Sequence, residues 1–146
     1  MTKNKYYLLC LFFLGCIPKD NRLIIKNSCL DDIRYVITDT LSLQKLYHSE
    51  YEKDTVLIQP QTYWNYTSNV PSNRSQRELE SGIDGWVTFI NQAQDKKLRI
   101  FVFNEYILEK YSWKEIIYQN KYEKVIELSL QELKNCNWTI DLCKLR

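Results

Sequence analysis

The residue types that most often carry catalysis are scarce in this chain. His48 is the only histidine among 146 residues, and a serine, cysteine or zinc hydrolase generally needs one as base or ligand. It lies in a polar stretch that offers no partner pattern. The carboxylates Asp31-Asp32, and Glu78 with Glu80, lie in segments that suggest turns or loops. A general acid–base pair needs a fixed separation, so we expect no catalytic residues, no metal ion and no cofactor.

Aromatic side chains are the next candidates, because their rings can stack on a sugar or contact a peptide. The chain has four tryptophans and eleven tyrosines. Large aromatics at strand and helix starts usually fill a core, and we expect this for Trp113 and Trp138. In the segment TYWNYT the rings fit a buried strand face less well, because Tyr66 is out of phase with either face. Tyr63, Trp64 and Tyr66 are therefore the candidate ligand-binding residues.

The N-terminus carries an uncharged, largely apolar run at residues 6–15, preceded by Lys3 and Lys5. A helix that spans a bilayer needs about 20 apolar residues, so this run is too short to cross. A basic start, a short apolar segment and a small residue at its end are typical of a signal peptide. The motif Phe13-Leu14-Gly15-Cys16 resembles a bacterial lipobox, in which the signal is cut before the cysteine and the thiol carries diacylglycerol.

This resemblance implies a division of the chain into three parts. Residues 1–15 would be a signal peptide, residues 16–21 a lipidated tether with Cys16 as the lipidation site, and residues 22–146 a single β-rich domain. A buried N-terminal strand or helix and a secretory signal without lipid are the alternatives. A lipoprotein would belong to the bacterial cell envelope, facing the periplasm or the cell surface, with the membrane as its partner through the lipid anchor.

The charge of the chain gives no sign of nucleic-acid binding. It has 20 basic and 18 acidic residues, and removal of a signal that contains Lys3 and Lys5 would balance the two. A domain that binds nucleic acid usually shows a basic patch or stripe. The group that comes closest to such a basic patch is Lys96, Lys97 and Arg99, which we interpret as a solvated strand face.

The cysteines allow a disulfide without fixing its connectivity. An exported chain permits disulfides, and Cys29, Cys136 and Cys143 remain if Cys16 is acylated. Cys136 and Cys143 stand too far apart for a zinc pair. These two could bridge a short loop, or one of them could reach Cys29, and either pairing leaves one thiol over.

Strands dominate the predicted secondary structure. Segments rich in Ile, Val and aromatic residues predict strands; they lie at 22–28, 33–38, 96–104, 122–129 and 138–142, with two further pieces on either side of Pro60. The segment 96–104 alternates apolar side chains on both faces, which places it centrally in a sheet. The polar window 68–81 predicts an exposed loop, and Gly82 and Gly85 mark a turn after it.

Two short helices near the C-terminus have clear start signals. Ser112 with Glu115, and Ser129 with Glu132, match the capping box, in which the serine and the glutamate satisfy unpaired amides at a helix start. We therefore predict a mainly β fold, a two-sheet antiparallel sandwich with two short C-terminal helices. An α+β fold with helices covering one sheet is the alternative.

The C-terminal half resembles a group of small uncharacterised bacterial lipoproteins. The residues that carry the resemblance are Tyr111-Ser112-Trp113, Ile116, Asn120, Tyr122, Leu128, Leu130, Leu133 and Asn137-Trp138. The resemblance implies lipoprotein status and brings no activity or site residues with it. We expect a non-enzymatic, lipid-anchored envelope protein that acts through structural or protein contacts. The alternative is a glycan- or peptide-binding module that uses exposed aromatic rings.

Overall fold

The computed structural model describes residues 17–44 and 67–144. Within these ranges strands hold 35% of the residues and helices 26%, so the prediction of a mainly β fold is confirmed. The strands are β1 (Lys19–Asp20), β2 (Ile24–Asn27), β3 (Ile33–Thr38), β4 (Ser68–Val70), β5 (Arg74–Arg77), β6 (Glu80–Ser81), β7 (Lys97–Phe103), β8 (Lys124–Ser129) and β9 (Thr139–Asp141). The helices are α1 (Gly85–Gln92), α2 (Glu105–Lys110), α3 (Trp113–Tyr118) and α4 (Leu130–Asn135).

The described strands form two larger sheets and one small pair. The four-stranded sheet has the order β4-β3-β7-β8 and is antiparallel throughout. In the three-stranded sheet β5-β2-β9, β2 pairs antiparallel with β5 and parallel with β9. Strands β1 and β6 pair separately. The parallel pair departs from a purely antiparallel arrangement, because β9 reaches β2 from the far end of the chain and no hairpin dictates its direction.

The main core lies between the two larger sheets. It contains buried side chains from the three-stranded sheet, such as Ile25 and Ile140, and from the four-stranded sheet, such as Ile100 and Ile126. Helices α1 and α4 add Ile90 and Leu133 to the same cluster. Side chains from both sheets thus share one apolar layer, which is the packing of a sandwich.

A second core covers the outer face of the four-stranded sheet. Phe101 and Phe103 of β7 pack there against Trp113, Ile116 and Ile117 of α3. The opposite face of β7 points into the main core. Strand β7 therefore lies between β3 and β8 with both faces buried, as its alternating sequence predicted.

Both predicted capping boxes are present. At the start of α3 the Glu115 amide donates to Ser112 Oγ at 3.3 Å, and the Ser112 amide donates to Glu115 Oε2 at 2.9 Å. Ser129 and Glu132 repeat the arrangement at the start of α4. The hydrogen bonds that the Ser112 hydroxyl and amide donate favour the charged form of Glu115 and hold its pKa below its ordinary value.

Two positions after the last residue of each of these helices stands an asparagine in the left-handed conformation. Asn120 has φ 52° and Asn137 has φ 51°. In each case the next amide closes the helix end: Lys121 donates to the Ile116 carbonyl at 2.9 Å, and Trp138 to the Leu133 carbonyl at 2.8 Å. Asparagine adopts this conformation more readily than most residues with a side chain, so both helices stop where their sequences allow this cap.

The polar window 68–81 is folded, and its prediction as a loop is wrong. It contains β4, β5 and β6; β4 is an edge strand of the four-stranded sheet, and β5 is an edge strand of the three-stranded sheet. Edge strands keep much of their surface in solvent, and three of the four residues of β5 are exposed. Hydrophobic alternation is weak in such strands, so no pattern in the amino-acid sequence predicts them. Helices α1 and α2 were likewise not predicted.

Candidate functional site

Several candidate residues lie outside the part of the chain that the structure describes. These are the lipidation candidate Cys16, the aromatic candidates Tyr63, Trp64 and Tyr66, and the lone histidine His48. Among the described helices none is long and apolar enough to cross a bilayer. The described ranges also contain no group of three or more His, Cys, Asp or Glu side chains that could hold a metal ion.

Of the disulfides that the sequence allowed, the structure contains Cys29–Cys143. The two Cα atoms are 5.7 Å apart, and the bond joins the loop after β2 to the turn after β9. Asn27 holds this loop in place: its Oδ1 accepts from the Cys29 amide at 2.9 Å, and its Nδ2 donates to the Val70 carbonyl at 3.0 Å. Cys136 is an exposed free cysteine.

The segment that directly follows the proposed anchor belongs to the folded domain. Asp20 is 3% exposed, and its carboxylate accepts from Arg22 Nη2 at 2.6 Å and from the Trp86 amide at the start of α1 at 3.1 Å. The hydrogen bond from Arg22 holds the pKa of Asp20 below its usual value. The sequence predicts a tether at residues 16–21, whereas in the structure Lys19 and Asp20 form β1 and pair with β6.

Arg99 is buried, so its interpretation as part of a solvated face is wrong. Its Nε donates to Glu127 Oε1 at 3.0 Å and its Nη1 to Asp95 Oδ1 at 3.1 Å, while the side chain is 2% exposed. Lys97 on the same face stays partly exposed and reaches Glu127 Oε2 at 3.2 Å. Two carboxylates neutralise the buried guanidinium, which allows it to lie beside the apolar side chains of β7.

One concave feature among the described residues is a cavity of about 210 Å³. It lies where β3, the chain around β6 and helix α1 meet, and we call it the β6–α1 cavity. Its lining includes three aromatic residues, two glutamates and a serine: Tyr35, Trp86, Phe89, Glu78, Glu80 and Ser68. The rings of Trp86 and Phe89 meet edge to face, with centroids 5.6 Å apart.

Glu78 is held in this cavity by hydrogen bonds from neutral groups. The Tyr35 hydroxyl donates to Glu78 Oε1 at 2.5 Å, and Gln76 Nε2 donates to the same oxygen at 2.9 Å. Tyr35 is fully buried. Burial, together with the bond to the Glu78 carboxylate, raises the pKa of Tyr35 far above its ordinary value, so the phenol stays protonated and keeps donating.

Two features of α1 shape the other side of the cavity. A Cβ on Gly85 would lie 3.0 Å from the carbonyl carbon of Glu80, so glycine lets the helix start pack against β6. The next residue, Trp86, is 4% exposed, and its indole Nε1 is buried without a hydrogen-bond partner among the described residues. A buried, unpaired N–H is unusual in a folded protein.

The remaining tryptophans divide between core and surface. Trp113 is buried in the second core, as its place at a helix start predicted. Trp138 is only half-buried, packs at the rim of the main core, and lies under the Arg22 guanidinium at 4.6 Å.

Comparison with protein-family models, with curated proteins and with solved structures finds no match to this chain.

Proposed function

We propose that the protein is a lipid-anchored protein of the bacterial cell envelope, made with a signal peptide at residues 1–15 and acylated at Cys16. The lipobox-like motif and the resemblance to small bacterial lipoproteins are the sequence support. The observation that carries the proposal is the Cys29–Cys143 disulfide. Disulfides persist in exported proteins and are rare where cytosolic reductants act.

The position of the folded domain relative to Cys16 adds a second line of support. Strand β1 begins at Lys19, so only two residues separate the proposed lipid from the domain. Ile17 is one of these two residues, and its side chain and that of Ile83 are exposed, at 70% and 76%. An anchor this short would hold that face of the domain at the bilayer surface, where exposed isoleucines can contact lipid.

The proposed role of the anchored domain is binding. The β6–α1 cavity favours this role, because it is a concavity lined by aromatic rings and two carboxylates. A glycan- or peptide-binding platform formed by Tyr63, Trp64 and Tyr66 is the second candidate, and it stays a prediction. Loss of a glycan-array signal on Trp64→Ala would support that platform, and an unchanged signal, or none from the wild type, would contradict it.

The anchor can be tested by labelling cells with a palmitate analogue while they produce the full chain. The wild type should incorporate label and Cys16→Ser should not. Cys10→Ser is the matched control, because Cys10 lies inside the apolar run and should not carry the lipid. Equal labelling of Cys16→Ser and wild type, or an unlabelled wild type, would contradict lipidation at Cys16.

A further inference from the structure

We propose that the end of the domain where β1 meets β6 rests on the lipid bilayer, with the side chains of Ile17 and Ile83 in contact with lipid. We call this surface, formed by Ile17, Pro18, Lys19 and Ile83, the β1–β6 end. The proposal rests on the lipid anchor at Cys16 proposed above. It goes further because a lipid chain alone leaves a domain free to turn about its tether, whereas a second contact made by the folded domain decides which surface faces the membrane.

Two isoleucines that lie far apart in the sequence come together at this end. Their side chains are 70% and 76% exposed. The Gly82 amide donates to the Pro18 carbonyl at 2.7 Å, which continues the pairing of β1 with β6 by one step. Ile17 directly precedes Pro18 and Ile83 directly follows Gly82, and Pro18 and Ile83 line one groove. The hydrogen-bonded ladder therefore places both exposed side chains at the same end of the domain.

The groove at the β1–β6 end has a volume of about 310 Å³ and carries balanced charges. Its charged lining residues are Lys19, Asp20, Arg22 and Asp84. Arg22 Nη2 contacts Asp20 Oδ2 at 2.6 Å and Asp84 Oδ1 at 3.1 Å. Because two cations balance two anions, no net charge in the groove opposes an approach to an anionic bilayer. The exposed Lys19 carries the charge that a lipid phosphate attracts.

The anchor is too short to carry this end far from the bilayer. Asp20 is 3% exposed and accepts from the Trp86 amide at 3.1 Å, so β1 is fixed to the start of α1. Only Ile17 and Pro18 lie between Cys16 and β1, and two residues span about 7 Å when fully extended. Apolar side chains at that distance from a lipid reach the boundary between headgroups and acyl chains, where burial favours them.

The other end of β2 should face water, and its exposed Leu30 provides the matched comparison. Leu30 is 88% exposed, so exposure alone makes it equivalent to Ile83. Strand β2 leads from Arg22, which lines the groove, toward the loop that contains Leu30. A strand rises about 3.3 Å per residue, so the four residues of β2 alone carry the chain about 10 Å away from the groove. Contact with lipid would distinguish the two side chains.

The test is methyl NMR of the full chain, produced in bacteria and placed in lipid nanodiscs with one chain, and then with several chains, per disc. Mass spectrometry of the same sample first establishes whether Cys16 is acylated. Two paramagnetic agents are then compared: a phospholipid that carries a nitroxide on its acyl chain, and a water-soluble gadolinium chelate. Ile83→Ala and Leu30→Ala identify the two methyl signals by removing them. Both changes lie at exposed positions, so thermal melts should match the wild type.

The two side chains should respond in opposite ways. The nitroxide lipid should remove most of the Ile83 signal and leave most of the Leu30 signal, and the gadolinium chelate should do the reverse. With Cys16 acylated, equal responses of Ile83 and Leu30 to either agent would overturn the proposal and leave the anchor in place. An unacylated Cys16 would overturn both. Protection of Ile83 from gadolinium only with several chains per disc would also overturn the proposal, because it would indicate contact with a second copy.

Discussion

Replacing Asp20 with asparagine should destabilise the domain more than the same kind of substitution at any other carboxylate near the N-terminus. The Asp20 carboxylate accepts four hydrogen bonds, three from Arg22 and one from the Trp86 amide. An asparagine keeps one acceptor oxygen and turns an NH₂ group toward the other two donors. Because the Asp20 side chain is 1% exposed, the amide group of an asparagine there could not turn its NH₂ toward solvent.

The expected loss follows from the two bonds that asparagine cannot make. Hydrogen bonds to a charged group contribute about 1.5–3 kcal/mol each, and bonds that share one group do not add fully, so we expect about 3 kcal/mol. For a domain of this size that corresponds to a fall of about 10 °C in Tm. Asp84→Asn is the matched control: Asp84 also contacts Arg22, at 3.1 Å, but its side chain is 72% exposed, and we expect a loss below about 0.5 kcal/mol.

The pH dependence of the same variant provides a second readout. The pKa of Asp20 is lower in the folded protein than its usual value of 3.8, so its stabilising effect is complete above that pH and is lost as the pH falls through the folded pKa. Urea unfolding followed by tryptophan fluorescence should give a constant difference in the free energy of unfolding between wild type and Asp20→Asn near neutral pH. This difference in free energy should become smaller below pH 3.8. Equal losses for Asp20→Asn and Asp84→Asn would refute the reasoning.

Three further changes test the rest of the fold by urea unfolding. Cys29→Ser should cost about 2–5 kcal/mol because it opens a long covalent loop, whereas Cys136→Ser, which alters a free cysteine, should cost little; equal effects would contradict the pairing. Asn120→Ala should cost about 1 kcal/mol and Asn120→Gly should not, since the left-handed backbone disfavours a Cβ; equal stability of the two would argue against this helix end. Arg99→Met should cost about 1–2 kcal/mol, more than Lys97→Met, whose ion pair is exposed; the reverse order would contradict the burial of Arg99.

The parts of the fold that were predictable depend on local signals. Each capping box is complete within four residues, so Ser112 and Ser129 marked their helix starts from sequence alone. Strand β7 was recognisable because apolar side chains alternate on both of its faces. Edge strand β5 was not recognisable, since its exposed polar residues resemble those of a loop.

The candidate site was not predictable, because it depends on contacts between distant parts of the chain. Tyr35 and Glu78 are separated by 43 positions and meet only when β3 packs beside the chain that leads to β6. The sequence drew attention to Glu78 and Glu80 as a carboxylate pair, but an apparent loop gave no reason to expect a cavity. The burial of Asp20 and Arg99 was hidden for the same reason: a charged residue is buried only where tertiary structure supplies its partners.

The mass of the mature N-terminus tests the central claim most directly. The full chain should be produced in bacteria as wild type, Cys10→Ser and Cys16→Ser, and the N-terminal peptide of each should be weighed by mass spectrometry. We predict that wild type and Cys10→Ser begin at Cys16 and carry diacylglycerol on that residue, and that Cys16→Ser carries none. A wild-type chain that keeps Met1, or one that begins at Cys16 or Asn21 without lipid, would contradict the claim.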